Sequence, residues 1–396
     1  MKTWVQRYFG SGSRRRTVAL AALAALYASA GSAADAGATA LRDRTIGYVL
    51  TDMTWAVHQT ADGKSECPDG LNALGPREQF EVLFPKNKKR TVLDTQLQFE
   101  VNTWYPTASA DRFPFHEAVG PSDGLNLDGK IGPHDFKNPD GTPGIDNQLF
   151  RAIGCLVGFR VDGLQYIFQR LTIKKERYTR TMIELTDVDD LVNDPEVRVT
   201  IYRGVDRLLT DATGDKIVPG GSQRIDTRWG AEFMQQLEGQ IVNGVLTTRP
   251  TAKMVLPWNS DTRVPTAQII HDMRLQLKIT PTAAEGVIAG YADVEAFYKS
   301  LIRADATHHL SNGQISAPSL YKELRRVADA YPDPDTGANT AISAALNTTF
   351  TQVFIQHPQG AAAKAELLRS LAERATRTAL LGSPSEKQPG ATQKTH

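Results

Sequence analysis

The residue types best suited to chemistry in this chain are concentrated in one polar run, from residue 123 to residue 147. The run offers side-chain or backbone oxygens from Asn126, Asp128, Lys130, Asp135, Asp140, Asp146 and Asn147. Calcium in proteins takes about six to eight such oxygen ligands in a flexible geometry. Ligands drawn from both halves of the run could complete one irregular site, so the sequence predicts Ca2+ as a cofactor.

The first half of the run has the ligand spacing of an EF-hand loop, in which oxygen ligands alternate with other residues around a glycine at position 6. When the loop is aligned on Gly129, its positions 3, 5, 7 and 12 are held by Asn126, Asp128, Lys130 and Asp135. Residues 124–135 thus resemble the calcium loops of dockerins, which also end in aspartate. The resemblance covers these residues alone, and Gly124 stands at position 1, where that family has aspartate.

A second interpretation of the same run needs no metal. Asp, Asn, Gly and Pro are the residues that favour turns, because they tolerate or stabilise turn dihedrals. Pro133 also opposes a helix that would leave the loop in the manner of an EF-hand. The metal site and the turn remain alternatives at this level.

Cys67 and Cys155 are the only cysteines of the chain. In an exported protein two thiols meet an oxidising compartment, so the sequence predicts that they form a disulfide. The alternative is a catalytic thiol beside a histidine such as His58, His116 or His134. The residues that flank the two cysteines do not match a nucleophile motif, which favours the disulfide.

The N-terminus has the features of an export signal. Basic residues precede a short Ala/Leu run and small residues follow it, so residues 1–33 are predicted to be a signal peptide and residues 34–44 a flexible lead-in. Residues 13–18 resemble a twin-arginine signal, which implies export of a folded protein. Beyond the signal, no run approaches the roughly 20 apolar residues that span a bilayer. The expected location is therefore the bacterial periplasm or the exterior.

Composition excludes several classes of function. The chain has 45 basic and 44 acidic residues and a net charge of +1, whereas a nucleic-acid-binding protein needs a surplus of positive charge. No P-loop, dinucleotide fingerprint, CxxC pair or haem attachment motif is present. A glycan, a lipid or another protein remains as the ligand class.

The hydrophobic pattern predicts an α+β protein, with an antiparallel, jelly-roll-like β-sandwich in residues 148–290. Apolar and polar residues alternate over residues 197–202 and 273–279, as in strands that bury one face. Asp162-Gly163 between two apolar runs predicts a hairpin over residues 156–168. Residues 45–147 form the expected N-terminal segment, which the disulfide ties to the sandwich.

A change of period after Pro281 predicts a helical region over residues 291–381. Apolar residues recur at helical spacing in residues 291–303 and 318–331, and residues 341–354 and 361–381 are further candidate helices. Pro and Gly in the polar residues 382–396 predict a disordered tail.

Three other groups could contribute to function. Asp187, Asp189, Asp190 and Asp194 form an acidic cluster, which is either a second cation site, the carboxylates of a hydrolase or a solvated loop. The aromatic residues Trp229, Trp258, Tyr166 and Tyr202 either line a sugar-binding face or fill the core. His308-His309 is a weak candidate for metal binding, because adjacent histidines point in different directions.

Together these features favour an exported, calcium-stabilised binding or structural protein of the periplasm or cell envelope. The alternative is a hydrolase of a polymer that uses paired carboxylates from Asp187, Asp189 and Asp190 or from the loop that holds Asp140 and Asp146. Paired carboxylates need a defined separation to act as acid and base, which only a structure can supply.

Overall fold

A computed structural model describes residues 41–72, 115–175, 179–227, 234–258, 266–301 and 317–360. Several predictions fall outside these residues and stay predictions. They are the signal peptide, most of the lead-in, the helix over residues 361–381, the tail, Trp229 and His308-His309.

The described residues are mostly β-structure. The strands are β1 (Ile46–Trp55), β2 (Phe136–Lys137), β3 (Pro143–Ile145), β4 (Thr181–Thr186), β5 (Asp194–Arg203), β6 (Gly221–Arg224), β7 (Gln235–Val242), β8 (Val245–Thr248), β9 (Thr251–Trp258), β10 (Thr266–Ile279), β11 (Ala283–Asp293), β12 (Ala330–Pro332) and β13 (Asn339–Gln356). The helices are α1 (Gln148–Ile153), α2 (Leu164–Lys175), α3 (294–301) and α4 (Ala317–Val327).

The main sheet closes on itself through antiparallel ladders. β1 pairs with β4 on one side and with β13 on the other, and the path runs β1-β4-β5-β7-β8-β10-β11-β13. β9 and β12 pair antiparallel with β10 and β13, and β6 runs parallel to β13. Strands from all along this path contribute to the main hydrophobic cluster, and helices are few among the described residues, so the predicted α+β, sandwich-like class is confirmed.

Alternation along the strands decides which residues enter the core. Val199 and Ile201 of β5 are buried in the main hydrophobic cluster, while Tyr202 joins a smaller cluster on the opposite face. β1 behaves in the same way, with Tyr48 in the main cluster and Val49 in the smaller one. The period of two that the sequence shows in residues 197–202 therefore corresponds to a strand buried on both faces.

The hairpin predicted over residues 156–168 is wrong. Val157–Phe159 forms a single 3-10 turn, and Leu164–Lys175 forms helix α2. Gly163 is the turn before the helix, and a Cβ there would lie 2.2 Å from the carbonyl oxygen of Gly158. Tyr166 and Ile173 are buried on one face of α2 at helical spacing, a signal that the strong Asp-Gly turn motif obscured.

The helix predicted over residues 341–354 is also wrong, because these residues lie in β13, between β1 and β11. The alanines that favoured a helix serve close packing instead. Ala345 lies under the polar run, where it packs with Leu125 and Leu127. Tertiary packing thus overrides helix propensity. The region 291–381, expected to be helical, consequently includes a strand of 18 residues.

Two other helices of that region are present. The prediction for residues 318–331 corresponds to α4, although residues 330–332 are in β12. Residues 291–293 complete β11, and residues 294–301 are helical. Asp293 Oδ1 accepts a 2.7 Å bond from the Ala296 backbone N–H, which is the N-cap contact that begins this helix.

The predicted disulfide between Cys67 and Cys155 is confirmed, with the Cα atoms 5.7 Å apart. Beside it, the fully buried carboxylate of Glu66 accepts a 2.5 Å bond from Arg160, which also donates to the Gly154 carbonyl oxygen at 3.1 Å. The disulfide and the Glu66–Arg160 ion pair together fix residues 56–72 to the turn that follows α1. Among the helices of the described residues, none combines the length and the apolar character needed to cross a membrane.

Candidate functional site

The first half of the polar run is a tight turn held by its own side chains. Gly129 adopts a left-handed conformation, with φ of 77°, and its N–H donates to Asn126 Oδ1 at 2.7 Å. The Lys130 N–H donates to Asp128 Oδ1 at 2.8 Å, and Asn126 Nδ2 donates to the Lys130 carbonyl oxygen at 2.8 Å. The side chains of Asn126 and Asp128, two of the predicted calcium ligands, are thus bonded to the backbone of Gly129 and Lys130.

Asp146 connects the second half of the run to the first. One of its carboxylate oxygens, Oδ2, accepts a 2.6 Å bond from the Leu127 N–H and a 3.3 Å bond from the Asp128 N–H. The Asp146 N–H in turn donates to the Leu125 carbonyl oxygen at 3.0 Å. The buried carboxylate therefore holds the two halves together.

The remaining predicted ligands have separate roles. Asp135 Oδ2 accepts from the Gly132 N–H at 2.6 Å, and Asp140 Oδ1 accepts from the Thr142 N–H at 2.8 Å in an exposed turn. Asn147 is buried, caps helix α1 through the Phe150 N–H and donates to the Ala56 carbonyl oxygen at 3.1 Å. Asn147 is thus occupied by structural bonds.

Position 1 of the dockerin-like loop is occupied by Gly124 for a steric reason. A Cβ at Gly124 would lie 2.8 Å from Ile145 Cγ2 and 3.6 Å from the Cβ of Ala345. A side chain there would collide with the residues on which the run packs. The structure leaves no room at this position for an aspartate ligand.

The fit of the predicted ligand set to a calcium ion is partial. Within the described ranges, no group of three or more His, Cys, Asp or Glu side chains is placed so that it could hold a metal ion. Each loop carboxylate named above uses one of its two oxygens to accept backbone N–H bonds, as in the turn interpretation. Asp128, Asp135 and Asp146 nevertheless line one cleft together.

This cleft has a volume of about 680 Å³ and opens where the polar run faces the end of α4. Such a size lies within the range of about 300–1,000 Å³ typical of small-molecule sites. Its acidic and phenolic lining groups come from four parts of the chain, namely Glu117, Asp128, Asp135, Asp146, Tyr291 and Asp329.

The carboxyl groups of the cleft perturb one another. Burial raises the pKa of Asp146 to about 6, the nearby carboxylates of Asp135 and Asp128 add to the rise, and the two backbone N–H bonds oppose it. Burial also raises the pKa of Asp329, with a smaller contribution from Asp135. The pKa of Tyr291 is raised to about 12, by burial first and then by Asp146 and Asp329.

Ion pairs and hydrogen bonds fix the wall of the cleft that lies opposite the polar run. Arg326 donates to Glu117 and to Glu323, at 2.5 Å in each case, and Arg151 lies 3.8 Å from Glu117. Asp329 Oδ1 accepts a 2.7 Å bond from the Ser343 N–H, so β13 positions this carboxylate. The guanidinium groups of the wall are therefore already paired with carboxylates.

The acidic cluster after β4 serves the local structure. Asp189 pairs with Arg44 at 2.7 Å, and Asp187 pairs with Arg198 at 3.1 Å. Asp194 Oδ2 accepts from the Asp189 N–H at 2.6 Å, and Asp190 Oδ1 accepts from the Val192 N–H at 3.0 Å. These contacts correspond to the solvated-loop alternative.

The described members of the predicted aromatic set fill the core. Trp258 stacks on Trp55 with ring centroids 5.1 Å apart, and Tyr166 and Tyr202 are at most 5% exposed. The core interpretation applies to these three residues.

The cleft residues Glu117, Tyr291, Arg326 and Asp329 were missed by sequence reasoning. They are separated along the chain from the polar run and carry no motif of their own. Asp329 follows the buried stripe of α4, where only its position beside Ser343 of β13 distinguishes it from an ordinary helix-terminal residue.

Comparison of the chain with protein-family models, with curated proteins and with solved structures gives no match. The geometry of the cleft is therefore the basis for assigning a function.

Proposed function

We propose that this chain is an exported binding protein, that its ligand occupies the cleft, and that Ca2+ binds on the cleft wall to Asp128, Asp135 and Asp146. The observation that carries the proposal is that these three carboxyl groups line one cleft. Burial in this cleft raises the pKa of Asp146 to about 6, and the charges of Asp135 and Asp128 add to the rise. Like charges at short range destabilise the ionised form, and a bound divalent cation removes that repulsion.

The loop contacts leave coordinating oxygens free, although the three carboxyl groups must move to share one cation, since none of the described residues form such a group as they stand. The backbone bonds use Asp128 Oδ1, Asp135 Oδ2 and Asp146 Oδ2, so each carboxylate retains a second oxygen that can coordinate a cation. Calcium tolerates irregular geometry and accepts backbone carbonyls and water as further ligands. Of the seven ligands expected from the sequence, these three carboxylates are the ones that the proposal retains.

Calcium should raise the melting temperature of the protein at pH 8 by about 5 °C when its concentration is about 100 times Kd, because it binds the native state alone. At pH 5 the response should be much smaller. The folded protein keeps a proton on Asp146 below a pKa of about 6, and calcium must displace it, so affinity falls about tenfold per pH unit below that value. Differential scanning fluorimetry with calcium or chelator at both pH values measures this.

Two variants of the same loop control that experiment. Asp146→Asn keeps an oxygen for the Leu127 and Asp128 N–H groups but removes the charge, and it should abolish the calcium response. Asp140→Asn changes an exposed turn residue and should respond like the unaltered protein. Identical melting curves in calcium and chelator at pH 8 would refute the metal part of the proposal.

The hydrolase alternative has one observation in its favour. Asp146 has a raised pKa inside a cleft, beside the carboxylates of Asp128 and Asp135, and such a difference in environment can separate a general acid from a charged partner. In this version Asp146, and not the acidic cluster after β4, donates the proton to a leaving group.

Release of reducing ends from polysaccharides should then be detectable and should decrease above about pH 6, as Asp146 loses its proton. Asp146→Asn should reduce turnover by at least about a hundredfold, in keeping with the usual contribution of a general acid. Asp140→Asn should retain activity. Absence of reducing ends from every polysaccharide tested would exclude this alternative.

A further inference from the structure

Three aromatic rings form a cluster next to the cleft. His271 of β10 and Tyr291 of β11 are cross-strand partners, and Tyr331 of β12 covers them. The Tyr331 ring lies 4.5 Å from the His271 ring, tilted by 35°, and 6.0 Å from the Tyr291 ring in an edge-on arrangement. Tyr331 is 38% exposed, so one part of this cluster faces solvent.

The backbone on both sides directs Tyr331 to this position. Asp272 and Tyr331 both have left-handed backbone angles, with φ of 48° and 56°, and the Tyr331 hydroxyl donates to Asp272 Oδ2 at 2.9 Å. Asp272 lies in an irregularity of the β10–β11 ladder between His271 and Arg274. The tyrosine ring is therefore held at a fixed place on the surface, where it can act as a platform.

The aromatic cluster and the cleft are continuous through Tyr291. Tyr291 lines the cleft, and its pKa is raised by burial and by the neighbouring Asp146 and Asp329. The same ring has its edge-on contact with Tyr331. A ligand that lies against Tyr331 can thus reach the carboxylates of the cleft wall.

We propose that Tyr331 is the stacking platform of a carbohydrate subsite, and that the ligand of the cleft is a neutral or amino sugar without acid groups. This inference rests on the proposed function, to which it gives a ligand class. A pyranose has an apolar C–H face that can pack on an aromatic ring and hydroxyl groups that can donate to carboxylates, which accept only.

The charge of the lining favours this class over acidic sugars. The lining includes five carboxyl groups, on Glu117, Asp128, Asp135, Asp146 and Asp329, against the guanidinium groups of two arginines. Both arginines are already paired with Glu117. In the calcium-free protein, all five carboxyl groups face the cleft, so an anionic ligand would be repelled, while hydroxyl and ammonium groups would find acceptors.

The character of the lining also favours a sugar over a lipid. An acyl chain needs an apolar groove, whereas most of the cleft's side chains are polar or charged. Tyr331, in contact with the lining residue Tyr291, supplies one exposed ring next to these acceptors. A flat apolar surface with convergent polar groups is the combination that a sugar ring can use.

The test applies the full chain at pH 8, in chelator so that all five carboxyl groups of the lining are free, to an array of immobilised cellohexaose, xylohexaose, mannohexaose, chitohexaose, a glucosamine hexamer and hexagalacturonate. Binding to at least one of the first five, with none to hexagalacturonate, is expected. Isothermal titration should then show that Tyr331→Ala weakens binding of that sugar at least about tenfold, the scale of one lost aromatic contact. Tyr331→Phe, which keeps the ring, should lose less.

The control is Val242→Ala, which alters an exposed residue of the β7–β8 hairpin outside the cleft lining and should bind normally. If Tyr331→Ala does not fold, as judged by circular dichroism, Tyr331→Leu replaces it.

Binding of none of the five sugars, or equal binding by Tyr331 variants without the ring, overturns the inference. A calcium-dependent rise in melting temperature without sugar binding would overturn the subsite and leave the proposed calcium function standing. Sugar binding that depends on Tyr331 without any calcium response would support the subsite alone.

Discussion

Replacing Cys67 and Cys155 together by alanine should lower the free energy of unfolding by about 4 kcal/mol, as expected for a cross-link that closes a loop of this length. The two cysteines are 88 positions apart, so the unfolded chain loses a large amount of conformational freedom when they are joined. Both residues are at most 3% exposed and belong to the main hydrophobic cluster. Urea unfolding followed by tryptophan fluorescence measures the difference.

The matched control is the unaltered protein in dithiothreitol, which removes the same bond without changing the side-chain carbons. Both samples should unfold at a similar, lower urea concentration, and the oxidised protein should unfold last. The buried pair of Glu66 and Arg160 lies beside the disulfide. The chain segments that this pair joins should therefore become sensitive to proteases in the variant. A loss below about 1 kcal/mol would mean that the bond constrains the unfolded chain far less than the loop-closure argument requires.

Local sequence signals identified the antiparallel strands and the disulfide because each depends on few neighbours. Alternation in residues 197–202 reports which side chains of β5 enter the main hydrophobic cluster, although the opposite face of the strand is buried as well. The chain has two cysteines, so each has one possible partner within it, which made the pair Cys67 and Cys155 predictable despite their separation. The buried stripe of α4 is another local pattern that the structure retains.

The errors came from positions where distant residues decide. The alanines of β13 indicate a helix when read locally, but Ala345 is small because the polar run packs on it. The Asp162-Gly163 pair indicates a hairpin, yet Gly163 is required by the nearby Gly158 carbonyl oxygen at the start of α2. Neither constraint can be read from the residues on either side.

In the candidate site, too, some residues could be predicted from local sequence and others depend on distant parts of the chain. Sequence reasoning found the carboxylates Asp128, Asp135 and Asp146 from their types and spacing, and the structure brings all three to one cleft. Tyr291 and Asp329 reach that cleft only because β11 and β13 are neighbours in the sheet. Ligand types could thus be predicted locally, whereas the completed site depends on sheet topology.

Gly124→Asp should lower the free energy of unfolding by about 4 kcal/mol and should not create a calcium ligand. A Cβ at this buried position lies 2.8 Å from Ile145 Cγ2, and overpacking of this kind costs about 1–3 kcal/mol. The added carboxylate would also be desolvated without a cation to balance it, which adds a cost of similar size. Urea unfolding in chelator gives the stability, and calorimetric titration gives the calcium affinity.

Gly124→Ala separates the two contributions. The φ angle of Gly124 is outside the left-handed region, so alanine adds only the collision with Ile145 and should cost about 1–2 kcal/mol. The dockerin resemblance leads to the opposite expectation for aspartate, since it would supply the ligand that position 1 lacks and would strengthen calcium binding. Tighter calcium binding by Gly124→Asp, with stability recovered in calcium, would therefore show that residues 124–135 adopt the EF-hand arrangement. It would also show that the Ile145 side chain moves away to make room for the aspartate. Equal losses in calcium and chelator would instead mean that the packing of the run on β13 fixes its shape, and that calcium is bound from the cleft side.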